Sequence, residues 1–177
     1  MKGIIAVKSR IAFALGAAGL LSAAPLFAGL AAAEPQQGSA GSPTEQRVSE
    51  FLQKNPGAQR VGDNEVKIRD GLNMRFATAP NQQQTCAPEH LCAYNDVNFE
   101  GDVLDFYECS EGPVGFPIEW TDQMKSFQNA QTEGTVATFH NWNPETGQWE
   151  EIGNSTAPDE NPDVGQPLNQ TDGIKPC

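Results

Sequence analysis

All four cysteines of this chain, Cys86, Cys92, Cys109 and Cys177, lie beyond an N-terminal segment built like a secretory signal, and this combination limits the fold more than any other feature. Lys2, Lys8 and Arg10 precede an apolar stretch from Ile11 to Leu30, which ends in Ala31, Ala32 and Ala33. A basic start, an apolar centre and small residues at Ala31 and Ala33 suit a signal peptidase, so residues 1–33 read as a signal peptide and the product as secreted and extracellular. The stretch is also long enough, at roughly 20 residues, to anchor in a bilayer. Against an anchor, Pro25 interrupts the run, Gly16, Gly19 and Gly29 weaken it, and no charged stop-transfer cluster follows Ala33.

An exported chain folds under oxidising conditions, where an even number of cysteines reads as disulfides. Four cysteines allow three connectivities. The favoured one pairs Cys86 with Cys92 around a tight loop and Cys109 with Cys177, because a cysteine at the last position is best explained as a staple for chain that otherwise frays. A zinc site fits less well, since Cys86 to Cys92 is wider than a CxxC pair and thiolates do not persist in this compartment.

Without residues 1–33 the chain holds 8 Lys and Arg against 23 Asp and Glu, a formal charge of −15. Such a surface repels phosphate backbones and anionic lipid heads, which argues against nucleic acid and membrane partners and leaves cationic ligands, calcium or a basic protein surface. Solubility alone would also account for the charge. About 144 residues remain, enough for one domain with its own core and some appended chain.

Residues 34–41 have nothing to bury and read as a flexible leader. Ser42, Pro43 and Glu45 supply a capping hydroxyl, a first-turn proline and an acid three residues after the cap. Val48, Phe51 and Leu52 then share one face, and Asn55-Pro56-Gly57 stops the helix. Two alternating runs, 65–69 and 72–76, flank Asp70-Gly71 and predict a hairpin with a type I′ turn. Residues 79–85 read as a linker, dividing a helix-plus-hairpin segment (42–78) from a cysteine-bearing domain (86–177). In that domain, strands are expected over 91–94, 103–107, 126–129, 135–141 and 148–152, with a long loop over 154–165. Short strands at such spacing suggest an antiparallel sandwich or barrel.

Tyr94-Asn95-Asp96-Val97-Asn98-Phe99-Glu100-Gly101, followed by Leu104 and Phe106 on one strand face, resembles the opening of a βγ-crystallin Greek key. There an aromatic covers a folded hairpin and a glycine takes a conformation closed to other residues. Trp120 to Phe127, including Ser126, resembles the segment that closes such a motif. A second copy runs from Thr138-Phe139-His140-Asn141-Trp142 to Leu168 through Ile174. With Cys86-Ala87-Pro88-Glu89-His90-Leu91-Cys92, the pattern over 86–177 resembles secreted actinomycete peptidase inhibitors of the streptomycete metalloproteinase inhibitor type. The resemblance implies an all-β, crystallin-like Greek-key sandwich preceded by a short helix and hairpin. It also implies inhibition of an extracellular zinc protease by a rigid exposed loop, with no cofactor. Such a loop loses little entropy on docking. The later half lacks a second short cysteine-framed loop of the kind expected to react with a protease.

The alternative is an extracellular structural or weakly calcium-binding crystallin-like module. Crystallin-type calcium runs place Asn or Asp first and hydroxyl residues last. The first copy, Thr121 to Ser126, offers Asp122 but has Lys125 where an oxygen ligand is expected. The second offers Asn169 and Asp172. As a catalyst the chain has little to show. Its two histidines, His90 and His140, do not form HExxH, no GxSxG elbow occurs, and no two acids stand out as a pair. Trp120 is expected in the core. Trp142 and Trp149 flank a turn at Asn143-Pro144-Glu145-Thr146-Gly147 and serve either as a contact surface for protein or glycan or as core of the second motif.

Overall fold

Pro43–Lys54 form an α-helix (α1) in the computed structural model, which describes residues 41–177; the expected signal peptide over 1–33 and nearly all of the expected leader over 34–41 lie outside the described residues. The Ser42 hydroxyl accepts the Glu45 amide at 3.2 Å, and Pro43 needs no partner at the first helical position. The Glu45 carboxylate does not reach back to the cap; it receives both Arg60 terminal nitrogens at 2.5 and 2.7 Å. Val48 and Phe51 are buried, and Phe51 meets Phe76 edge to face at 5.7 Å.

The described residues form eleven strands: β1 (Gln59–Arg60), β2 (Glu65–Arg69), β3 (Leu72–Arg75), β4 (Leu91–Tyr94), β5 (Val103–Phe106), β6 (Val114–Gly115), β7 (Ser126–Asn129), β8 (Val136–Asn143), β9 (Gln148–Thr156), β10 (Asp159–Asn161) and β11 (Gly173–Lys175). They form a seven-stranded antiparallel sheet ordered β1-β2-β3-β5-β4-β7-β10 and a four-stranded one ordered β6-β11-β8-β9. Strands β4 to β7 make one Greek key and β8 to β11 a second, and each lends its third strand to the other's sheet. Thus β6 pairs with β11, and β10 pairs with β7. The fold is the expected all-β, crystallin-like pair of Greek keys.

Alternation decides what fills the space between the sheets. Leu91, Ala93, Leu104, Phe106 and Phe127 face Ala137, Phe139 and Ile174, with Phe127 and Phe139 rings 4.9 Å apart. Each fully buried side chain of this kind stabilises the fold by about 1.5–3 kcal/mol.

Four expectations need correction. The helix and hairpin are not a separate piece, because β3 pairs with β5 along its whole length and extends the first sheet. Residues 79–85 are not a plain linker either. Gln84 is buried; its amide donates to Phe99 O at 3.0 Å and its side chain to Gly101 O. At the hairpin turn only Gly71 has positive φ (77°), with a register shift between Lys67 and Arg69, so the turn is not type I′. Finally, 154–165 is not one long loop, since β9 runs to Thr156 and β10 follows at Asp159.

Candidate functional site

The first folded hairpin is the best-built local structure. Tyr94 is fully buried, with Phe99 against it at 5.8 Å, and burial pushes its phenol well above the ordinary range. Gly101 sits at φ 78°, which lets Asn95 Oδ1 accept the Asp102 amide at 2.7 Å. Ser126 Oγ donates to Asp96 O at 2.6 Å and accepts from Phe99 N at 3.0 Å, pinning the hairpin onto β7. Trp120 is buried and meets Phe116 edge to face at 6.3 Å. These five motif residues, Tyr94, Phe99, Gly101, Trp120 and Ser126, hold the scaffold and present no reactive group to solvent.

Cys86 is bonded to Cys92, with Cα atoms 5.7 Å apart, and Cys109 to Cys177, with Cα atoms 5.1 Å apart. The short loop is fastened further. Glu89 N donates to Ala130 O at 2.8 Å, and Ala130 N to His90 O at 2.9 Å. The His90 ring lies 2.6 Å from Asp105, a buried carboxylate on β5 whose other oxygen is 3.6 Å from Arg75. Sequence reasoning missed this cluster because its members come from strands that meet only through the β3–β5–β4 order. Asp105 alternates with buried Leu104 and Phe106, so nothing local marks it as buried too.

The calcium candidates gather in part. Asp122, at φ 58°, and Asp172 belong to different Greek keys, yet the Asp122 charge acts on the Asp172 carboxyl. Burial pushes that carboxyl above the usual carboxylate range, and the Trp142 amide, donating to Asp172 Oδ2 at 3.1 Å, opposes the shift. Asp172 Oδ1 and Asn169 Oδ1 are both buried without a hydrogen-bond partner, which is the state of an oxygen suited to a cation. Among the described residues no three His, Cys, Asp or Glu side chains converge on one point, so most oxygens of a calcium shell would have to come from backbone or solvent.

Two exposed elements complete the picture. Trp149 lies across Gly173, where an added Cβ would come within 2.9 Å of the indole, and Trp142 stands against it at 5.1 Å while 41% exposed. So the pair forms a surface rather than core. Ile118, in a 3-10 turn over Ile118–Trp120, is 79% exposed. The only sequence signal for it was an isoleucine between a proline and a glutamate.

Residues 79–152 match the family model of peptidase inhibitor family I36. The matched segment lies within the described residues and is similar to that family's model. The match supports a protease inhibitor role, in line with the resemblance to streptomycete metalloproteinase inhibitors. No curated protein matches the chain at a significant level. A solved structure from work on the evolution of the eye lens beta-gamma-crystallin domain fold aligns over 57% of this chain and 92% of that one, with 15% identity and a TM-score of 0.35. The fold class rests on strand order, not on that alignment. The I36 region takes in the disulfide loop, the first Greek key, Ile118 and both tryptophans; Asn169, Asp172 and Cys177 lie past its end. Two disulfides and an inhibitor family fit a secreted protein, and no helix among the described residues is long and apolar enough to cross a membrane.

Proposed function

We propose that the chain is a secreted inhibitor of metalloproteases that occupies its target through rigid surface loops and without a cofactor. The I36 match over residues 79–152 carries this reading. The loops favour it, because the 86–92 loop is closed by a disulfide and tied to β5 and to Ala130, so little freedom remains to be lost on binding. Titration of the secreted protein against a thermolysin-type zinc protease, with a serine protease beside it, is expected to give stoichiometric inhibition of the zinc enzyme only. Inhibition of the serine enzyme alone would sink the metalloprotease assignment.

The unpartnered oxygens of Asp172 and Asn169 favour a second reading, a calcium-linked extracellular module. Excess calcium should then raise the unfolding midpoint of the wild-type protein, by an amount equivalent to about 2.7 kcal/mol at a hundredfold excess over the dissociation constant. Asp172→Asn should abolish that increase and, without calcium, leave the midpoint at or above wild type, since it removes a half-paired buried carboxylate. A calcium response retained in Asp172→Asn would exclude this residue as a ligand.

A further inference from the structure

Asp172 joins the two exposed elements. Phe116, two residues before Ile118, donates its amide to Asp172 O at 2.7 Å, and Trp142 donates its amide to the Asp172 side chain at 3.1 Å. Asp172 N in turn donates to His140 O at 2.8 Å. The Ile118 turn and the Trp142 hairpin therefore share one backbone anchor, although they are more than twenty residues apart in sequence and belong to different Greek keys.

Each element is rigid in its own right. The Ile118 turn is closed by Trp120 N donating to Pro117 O at 2.8 Å and by Thr121 Oγ1 donating to Ile118 O at 2.9 Å, while buried Trp120 holds its far end. Asn55 at the end of α1 donates to Glu119 at 3.0 Å and ties the turn to the helix. Trp142 rests on Trp149, which is seated over Gly173 and Gly115. Exposed apolar side chains on immobile supports are what a binding surface needs, because docking then orders little that was free.

Charge narrows the partner. Residues 76–177 contain seventeen acids and two lysines, Lys125 and Lys175, whereas residues 41–75 contain five acids and six Lys or Arg. Ile118 is flanked by Glu119 and Asp122, and the Trp142 hairpin bears Glu145 and Glu150, the latter accepting from Asn143 at 2.6 Å. A surface of two apolar points within an acidic field complements a cleft with apolar pockets and a basic rim.

We infer that Ile118 and Trp142 together form the contact surface of the inhibitor, entering apolar pockets of an extracellular protease whose cleft is rimmed by basic residues. This rests on the inhibitor reading and adds the surface to it. Association should slow as salt is added, as expected for opposite fields. The decisive test measures inhibition constants of secreted wild type, Ile118→Ala, Trp142→Ala and the double variant against the zinc protease, with Val136→Ala as control. Val136 opens β8, at the other end of that strand from Trp142, and is 47% exposed.

Each single substitution is expected to weaken inhibition by about tenfold or more and the double by about a hundredfold, while Val136→Ala stays at wild type. If wild type inhibits and the variants inhibit equally well, this surface is wrong and the inhibitor reading stands. If wild type inhibits no protease tried, the inhibitor reading fails and takes the surface with it. Should Trp142→Ala fold poorly, as judged by its melting curve, Ile118→Ala decides the matter alone, since that side chain packs on almost nothing.

Discussion

Replacing Cys109 and Cys177 together with serine is expected to lower the unfolding free energy by about 4 kcal/mol, measured by urea denaturation. The bond closes a loop of 68 residues, and restricting so long a loop in the unfolded chain has an effect of that order. Cys109 follows β5 of the first sheet and Cys177 follows β11 of the second, so the bond spans the sandwich. Cys109 is exposed, and serine there leaves no buried polar group. The Cys86–Cys92 bond closes a separation of 6, for which the same argument gives about 2 kcal/mol, with an added cost from placing a hydroxyl where Cys92 is wholly buried. A loss below about 1 kcal/mol for the Cys109–Cys177 pair would show that the unfolded chain is already compact enough for the long loop to matter little.

Gly101→Ala is expected to cost about 2–4 kcal/mol. Its φ of 78° is strained for any residue with a Cβ, and the new methyl would collide with Asn95 Oδ1 and displace the acceptor of the Asp102 amide. Gly134 and Gly147 make the comparison clean. They too have positive φ, 86° and 66°, but an added Cβ there meets nothing within 4 Å, so alanine should cost about 1 kcal/mol from backbone strain alone. Equal losses at all three positions, followed by thermal unfolding, would mean that the Asn95 contact contributes nothing.

Much of the architecture could be read from the chain because its signals are local. Ser42-Pro43 with Glu45 marks the helix start, Tyr94 through Gly101 marks the folded hairpin, and 91–94 and 126–129 are the observed strands β4 and β7. What could not be read depends on meetings between distant segments. Nothing in Leu72–Arg75 tells that its partner beyond β2 is β5, and without that knowledge the hairpin looks detachable. Gln84 reads as one of several linker glutamines until Tyr94 and Gly101 close around it. The short strands β6 and β10 exist because the opposite Greek key offers them an edge; Asp159-Glu160-Asn161 has no strand propensity of its own.

The candidate contact surface was legible by halves. The tryptophan hairpin stood out by composition, and the structure settles which of its two rings is exposed. The segments that carry Ile118 and Trp142 meet at Asp172, a residue the sequence offered as a calcium candidate. Its backbone bonds to Phe116 and His140 could be seen only once β11 was placed between β6 and β8.

The exchanged strands bear on what happens when an enzyme cuts its inhibitor. A single break between β7 and β8 would leave β6 hydrogen-bonded to β11 and β10 to β7, while Cys109 and Cys177 keep the two fragments in one covalent molecule. Hydrolysis of that connection would therefore yield one clipped, covalently joined molecule rather than two diffusing products.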